Sequence, residues 1–327
     1  MTESMNLPTM HCNRALRSVP VQNNMDTTLQ RCLEVPSKES IDSQTFRRKF
    51  HNQQPVVLKK SAENWRPCKI WTPDYLKVAL QGGFEYLEVL EALDNEQFVD
   101  NADFVSKRSI SPEVFVDYVF KEEEGFVSDE MAENQRKYSG YRSKKRLYLR
   151  TMSMPDVLYR DIAIPDQIKS LRSKIYHTKD QEANSVDTFA CKVFRQDTMQ
   201  LWVGTKGNVT PLHYDRNHGL LVQILGEKQV ILFSHEHTSS LYPFPSYSDK
   251  SHLSRINFRK MKDEDELLAS FPKFCRAEPY SCVICPGDIL YIPPFWWHDV
   301  TSRDNCISVT LPWDMEPSDE IPPCMLR

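Results

Sequence analysis

The 327-residue sequence predicts a mainly β protein, a double-stranded β-helix of the jelly-roll type with an N-terminal α/β extension. Three observations predict it. From Val193 onward, short apolar and β-branched runs recur between Gly, Pro and Asn, as in an antiparallel all-β domain. One long excursion, His235 to Glu278, separates two groups of such runs. Helix-start signals concentrate in the first 120 residues.

Residues 1–40 are polar, Pro-dotted and without periodicity, the composition of a flexible tail. The flanking α/β region is expected over 41–190. Ser43 to Phe50 reads as helix, Pro55 to Leu58 as a short strand, and Thr72-Pro73 as a cap followed by Pro in the first helical turn. Phe84 to Leu90 alternates like a strand. Ser111-Pro112 opens a helix with Val114, Phe115, Tyr118 and Val119 on one face, and Arg146 to Arg150 is a strand after a polar loop over 128–145. The jelly-roll core is placed at 191–314 and a short C-terminal tail at 315–327. No internal repeat is visible.

Composition narrows the function. With 41 basic and 45 acidic residues, a net charge of −4 gives no electrostatic drive towards nucleic acid or an anionic membrane. The 9 cysteines are scattered and odd in number, unlike a secreted disulfide framework, and no signal-type or membrane-spanning apolar run is present. The expected compartment is the cytoplasm or nucleus.

The chemistry gathers between Gly204 and Ser234. His213 and Asp215 stand two apart in a strand pattern, so both side chains point to one face. An imidazole and a carboxylate so placed supply two ligands of a 2-His-1-carboxylate iron site. The third must come from elsewhere, and His298, after Pro293-Pro-Phe-Trp-Trp297, is the candidate.

Gly207 to Asp215, Leu241-Tyr-Pro-Phe-Pro245, Pro286 to Pro293 and Trp296-Trp-His298, in that order, resemble the cupin-like Jumonji C (JmjC) family of iron(II)- and 2-oxoglutarate-dependent oxygenases. The likeness is strong over the last third, weaker through Arg146 to Leu149 and Pro55 to Leu58, and absent from the first 40 residues. It implies Fe(II) at His213, Asp215 and His298, with 2-oxoglutarate and O2 as co-substrates. Lys228, Tyr148 and Thr210 match the family's positions for binding the far carboxylate of 2-oxoglutarate. The implied reaction is hydroxylation of a C–H bond, most simply on a protein side chain. A tRNA base is the alternative substrate, and a catalytically silent binding protein of the same fold is the rival class.

Three departures from the asparaginyl-hydroxylase pattern of that family stand out. Gly219 and Leu311 occupy positions where that pattern has Asn close to the metal and co-substrate. The family's C-terminal dimerisation helices have no counterpart after Trp313, so a monomer or a different dimer is expected. Elsewhere, Cys282-x-x-Cys285 sits in a strand pattern that points the two thiols apart. His235-Glu-His237 reads as an exposed loop pair, Arg142 to Arg146 as a solvated basic run, and Asp263 to Glu266 as a helix start.

Overall fold

A computed structural model of the chain describes residues 32–99, 101, 103–121, 145–151, 154–163, 165, 198–261 and 263–326. The N-terminal region runs β1 (Leu33–Glu34), β2 (Ser37–Lys38), α1 (Ser43–Lys49), β3 (Val56–Leu58), α2 (Arg66–Ile70), α3 (Pro73–Gln81), β4 (Leu87–Ala92), β5 (Val105–Ile110), α4 (Pro112–Phe120), β6 (Leu147–Arg150) and α5 (Asp156–Tyr159). The strand-rich part follows as β7 (Gln200–Gly204), β8 (Val209–Tyr214), β9 (His218–Leu225), β10 (Lys228–Phe233), α6 (Glu264–Ser270), β11 (Pro279–Ile284), β12 (Ile289–Ile292), β13 (Trp297–Ser302) and β14 (Cys306–Trp313). The excursion between β10 and β11 is built from 3-10 turns at His235–Ser240, Phe258–Lys260 and Pro272–Arg276 around α6.

Caps start the helices where the sequence places them. The Asp42 carboxylate accepts the Thr45 N–H at 2.8 Å, Thr72 Oγ1 that of Tyr75 at 3.2 Å, and Asp263 that of Glu266 at 2.9 Å. Prolines at the first helical position of α3 and α4 need no N–H donor there.

Two sheets face each other, a five-stranded one in the order β1-β11-β10-β13-β8 and a nine-stranded one in the order β2-β3-β12-β9-β14-β7-β6-β4-β5. Alternation along each strand assigns its side chains to layers. In β10, Val230 and Leu232 point between the sheets, and Lys228 shares their face. Ile231 and Phe233 point outward, under the excursion, with Phe258, Leu267, Phe274 and Trp297. The outer face of the nine-stranded sheet carries the largest core, where Leu201, Val203, Leu220, Val222, Val309 and Leu311 pack beneath the helices. Both outer faces are therefore covered by apolar layers, and the space between the sheets is left partly polar.

The organised chain starts earlier and ends later than expected. Leu33–Glu34 pairs with β11 and Ser37–Lys38 with β3, so the expected 1–40 tail already contributes to both sheets. The segment after Trp313 packs back through Glu316 and Asp319. In α4 the buried face is Phe115, Val116 and Val119, and Val114 is exposed, a correction of the face read from spacing. The strand expected at Phe84 to Leu90 begins at Leu87. Most of the 128–145 loop and of the 151–190 connection lies outside the described residues. No helix among those described is long and apolar enough to cross a membrane.

Candidate metal centre

β8 and β13 run antiparallel with His213 opposite His298 and Tyr214 opposite Trp297. Two positions further along β13, Val300 stands opposite Thr210, so β8 spends three residues where β13 spends two. That β-bulge, at Pro211 and Leu212, resets the alternation, and Thr210 and His213 both line the space between the sheets. Asp215, just beyond β8, lies on the same side, with its carboxylate oxygen 3.7 Å from His298 Nε2.

Each histidine is oriented by its own strand. His213 Nδ1 lies 2.8 Å from the Pro211 carbonyl and His298 Nδ1 lies 3.0 Å from the Trp296 carbonyl, in both cases two residues back. A carbonyl can only accept, so each Nδ1 carries the proton and each Nε2 offers a lone pair. The rings are 4.1 Å apart at 53°, and one ligand atom from each of the three residues lies within 4.8 Å of the others. Burial, with His298 beside it, pushes the His213 imidazole down to about 4, so it is neutral at pH 7. Burial works to raise the Asp215 carboxyl, but His213, His298, Arg150 and His252 together hold it below the usual carboxylate range. Two imidazole nitrogens and one ionised oxygen donor fit a hard-to-borderline divalent ion with open positions.

A recess of about 90 Å³ runs inward from these three residues, lined also by Tyr148, Thr210 and Lys228. All six residues singled out in the sequence thus share one space. Lys228 is 1% exposed, and its ammonium donates to Tyr148 Oη at 3.2 Å and Ser308 Oγ at 2.6 Å. Among the described residues no carboxylate pairs with it. Gly226, at φ +71°, makes the turn that returns the chain on Lys228; a Cβ there would sit 2.4 Å from the Asn305 carbonyl oxygen. Gly204 lies opposite Tyr148 and makes room for its ring, which a Cβ would meet at 2.5 Å.

The recess opens into an outer cavity of about 650 Å³ lined by Arg150, Trp202, Arg216, Lys250 and His252 among others. Of the two residues that depart from the asparaginyl-hydroxylase pattern, Gly219 and Leu311, only Gly219 faces this space. Leu311 is fully buried in the helix-covered core with Ile307 and Val309, because β14 alternates without a break and turns Ser308, Thr310 and Pro312 to the other face. Thr310 occupies the pocket wall instead and accepts the Trp202 Nε1–H at 2.9 Å.

The other sequence candidates separate from the site. Burial pushes the Cys282 thiol up to about 12 and also raises that of Cys285, so neither is a ready ligand or nucleophile. His235 and His237 lie half-buried in a 3-10 turn capped by Ser234, which corrects the reading of an exposed loop. Arg146 donates to the Gly207 carbonyl at 2.9 Å and Lys145 pairs with Glu91 at 3.2 Å; residues 142–144 lie outside those described. Sequence reasoning missed Ser308, Thr310, Trp202 and Arg150. Arg150 was within reach, since it stands two residues after Tyr148 in one strand. It also missed a second group of two histidines and an aspartate, His51, His218 and Asp319, which no local spacing connects.

A family model described as a cupin-like domain matches residues 42–319. The chain is 29% identical to lysine-specific demethylase 8 of Danio rerio, over 86% of this chain and 58% of that protein. It is 27% identical to tRNA wybutosine-synthesizing protein 5 of Gallus gallus, over 90% of this chain and 81% of that protein. It is 34% identical to Jumonji C domain-containing protein 5 of Drosophila melanogaster, over 38% of this chain and 31% of that protein. The chain thus spans less than two thirds of the length of the demethylase and of the Drosophila relative. With a match running from α1 to Asp319, over a jelly roll that brings the JmjC motifs together, the chain belongs to the cupin-like JmjC family of 2-oxoglutarate oxygenases.

Proposed function

We propose that this protein is an iron(II)- and 2-oxoglutarate-dependent hydroxylase acting on a protein side chain. The observation that carries the proposal is Lys228, a buried ammonium at the base of the recess that meets two hydroxyls and no described carboxylate. Burying an uncompensated charge costs several kcal/mol, about as much as a small domain's whole net stability allows, so such a charge points to an anionic ligand.

His213, Asp215 and His298 would hold the iron, and their summed charge leaves it about +1, which favours an anionic chelate. Lys228, Tyr148 and Thr210 would hold the far carboxylate of 2-oxoglutarate. The bound metal and co-substrate supply the oxidising power that turns a C–H bond and O2 into C–OH, with succinate and CO2 as co-products. The chain's own part is positional. The Pro211 and Trp296 carbonyls fix the imidazole planes, Ser308 and Tyr148 aim the ammonium, and Leu221, Ile292 and Val300 give the recess a dry wall.

A tRNA base is the second reading. Its specific support is similarity, since the chain is 27% identical to tRNA wybutosine-synthesizing protein 5 of Gallus gallus over 90% of its residues. The net charge of −4 favours a protein. Aerobic incubation with iron(II) and carboxyl-labelled 2-oxoglutarate tests the core reading. Labelled CO2 above a metal-free control is expected, raised further by the true substrate when peptide pools and total tRNA are added separately. No release with iron and 2-oxoglutarate under any condition sinks the oxygenase assignment.

A further inference from the structure

A second cavity, of about 380 Å³, lies against the metal-side one and shares two wall residues with it, Pro211 and Leu253. A single extended segment runs between the two spaces: His252 lines the first, Ser254 the second and Leu253 both. That segment is paired with the end of β8. The Tyr214 N–H donates to the His252 carbonyl at 3.0 Å, the Ser254 N–H donates to the Leu212 carbonyl at 2.9 Å, and Leu253 stands opposite His213. Lys250, in the wall of the first cavity, has its ammonium 5.6 Å from the Phe104 ring centroid and 6.0 Å from that of Phe244, and it pairs with Asp103. All three partners line the second cavity, so the Lys250 side chain joins the two spaces with its charge already committed.

The second cavity has an apolar lining of Leu93, Phe104, Phe244, Leu253, Ile256 and Met261. Leu253 and Ile256 are buried, the two Phe and Met261 are half-buried, and Leu93 is 60% exposed. A cluster of this kind left open to water marks a place that another apolar group covers. Charge in the lining balances, Asp94 and Asp103 against Arg255 and Lys260. A nucleic-acid chain is gripped through several phosphates by a cationic surplus, which this lining lacks. We infer that the second cavity receives an apolar side chain, Leu, Ile, Met or Phe, of the substrate protein, while a neighbouring residue of the same chain is presented to the metal. Passing one intervening strand takes two interstrand spacings, about 10 Å, and an extended chain advances about 3.3 Å per residue, so the anchor lies about three residues from the residue presented.

The inference rests on the reading of a protein as substrate, and it adds to the metal centre a contact that reads sequence. The anchor site is already built. Val209 donates its N–H to the Glu96 carbonyl at 3.0 Å and Phe98 donates to the Val209 carbonyl at 2.8 Å, which ties the connection carrying Leu93 to β8. The Leu93 N–H donates to the Phe104 carbonyl at 2.8 Å, and on the opposite wall the Phe244 N–H donates to the Leu253 carbonyl at 3.0 Å. Both walls are thus held by backbone bonds, and binding spends little on ordering them.

The test pans a phage-displayed library of random dodecapeptides on the full chain with zinc(II) and 2-oxoglutarate, so that nothing turns over, and assays total tRNA beside it. Retained peptides are expected to share one apolar residue. In a synthetic copy of the tightest binder, Ala at that position should weaken binding about tenfold or more, the worth of burying one Leu-sized side chain. A photo-leucine in its place should crosslink to segment 93–104 or segment 244–261. Leu93→Asp, at an exposed position outside the core, should abolish the apolar preference, and Leu93→Met should keep it; circular dichroism checks that both fold. Retained peptides with no shared apolar residue, a crosslink elsewhere, or an unchanged preference in Leu93→Asp overturns the inference. So does a parent protein that retains no peptide, whether or not tRNA binds. With iron(II) in place of zinc(II), anchored peptides should gain the mass of one oxygen atom about three residues from the anchor. Anchored peptides that gain none, in a protein that releases no labelled CO2, remove the oxygenase reading and leave the anchor standing. Oxygen gained by peptides that lack the apolar residue keeps the oxygenase reading and removes the anchor.

Discussion

Two groups of the same composition, two histidines and one aspartate with ligand atoms within 4.8 Å of one another, lie in different layers of this molecule. His213, Asp215 and His298 line the space between the sheets. His51, His218 and Asp319 lie on the outer, helix-covered face of the nine-stranded sheet, against Tyr291 and Trp313. In the first group the rings are inclined at 53° and both Nδ1 atoms are tied to carbonyls, so two in-plane lone pairs converge. In the second, His51 and His218 are parallel within 9° at 4.6 Å, and lone pairs in parallel planes cannot meet at one ion.

Within the second group His218 and Asp319 are already committed, while His51 Nε2 is buried with no partner among the described residues. His218 Nδ1 meets the Tyr291 hydroxyl at 2.9 Å and its Nε2 meets Asp319 at 3.0 Å, while Asp319 also accepts the Glu316 N–H at 2.7 Å. It clasps the C-terminal segment to the sheet. Identical side chains thus form a candidate metal centre or a clasp according to how the rings are inclined and what their nitrogens meet.

The largest expected effect breaks this comparison crosswise. His213→Ala or Asp215→Ala should weaken iron binding at least 100-fold and abolish 2-oxoglutarate turnover with a near-parental melting temperature, because the ligands face a cavity and hold little of the core. His218→Ala and Asp319→Ala should do the reverse, keeping metal affinity while costing about 2–4 kcal/mol of stability through a broken buried pair. Metal titration and urea unfolding of the four variants decide it. Stability loss in the first pair with none in the second would invert the assignment.

Lys228→Ala comes next. Loss of one charge-assisted contact in a closed recess is worth roughly 1.5–3 kcal/mol, so the apparent KM for 2-oxoglutarate should rise about 10- to 150-fold while iron affinity holds. Lys228→Arg should rescue in part only, since the planar fork cannot take the ammonium's place between Tyr148 and Ser308. A KM equal to that of the parent would move the co-substrate out of this recess.

Both site predictions rest on residues legible before any coordinates, and the reason is local. His213 and Asp215 needed only strand alternation, and Lys228 only a Gly turn and a returning strand. What stayed hidden depended on phase and on distance. The bulge at Pro211 and Leu212 is what brings Thr210 to the side of His213. Plain alternation along β14 sends Leu311, read as a site position, into the core with Ile307 and Val309 and leaves Thr310 at the pocket. β5 escaped notice because its middle four residues are not buried and leave no apolar alternation. The clasp joins positions 51, 218 and 319, a separation that periodicity cannot bridge.

Acidification should separate the groups by a smaller margin. Burial, and then the charge of His218, depress His51 to about 4 from an ordinary 6.5. Between those values the unfolded chain binds a proton at this position that the native chain refuses, so stability falls as the pH drops through the window. The full shift would be worth about 3 kcal/mol, and about 2 is expected after screening. His213, also depressed to about 4, adds in the same direction in metal-free protein. His51→Phe keeps a ring in the stack but removes the proton site, so its urea midpoint should fall less between pH 7 and pH 4.5 than the parent's. Equal slopes would mean that His51 does not titrate in this window.

The smallest effect is expected one residue along from the clasp. His218 and Gly219 are neighbours in β9 and point to opposite faces, one into the stacked rings and the other into the metal-side cavity. Gly219 pairs with Ile292 and Pro312 at ordinary strand φ, and a Cβ built there meets nothing within 4 Å. No backbone requirement therefore selects glycine, and what its small size provides is room. Gly219→Asn, the residue of the asparaginyl-hydroxylase pattern, should fold as well as the parent or up to about 1 kcal/mol better, because the unfolded chain loses glycine's freedom. The carboxamide would then occupy cavity space beside Asp215 and Thr310 without displacing a metal ligand. Iron affinity should stay unchanged and the KM for 2-oxoglutarate should move by no more than about threefold, an estimate for one exposed neutral hydrogen bond made or lost. A large drop in melting temperature would show that β9 needs glycine for its own packing. A large rise in iron Kd would show that the two faces of the strand are coupled, against the separation that His218 and Gly219 otherwise mark.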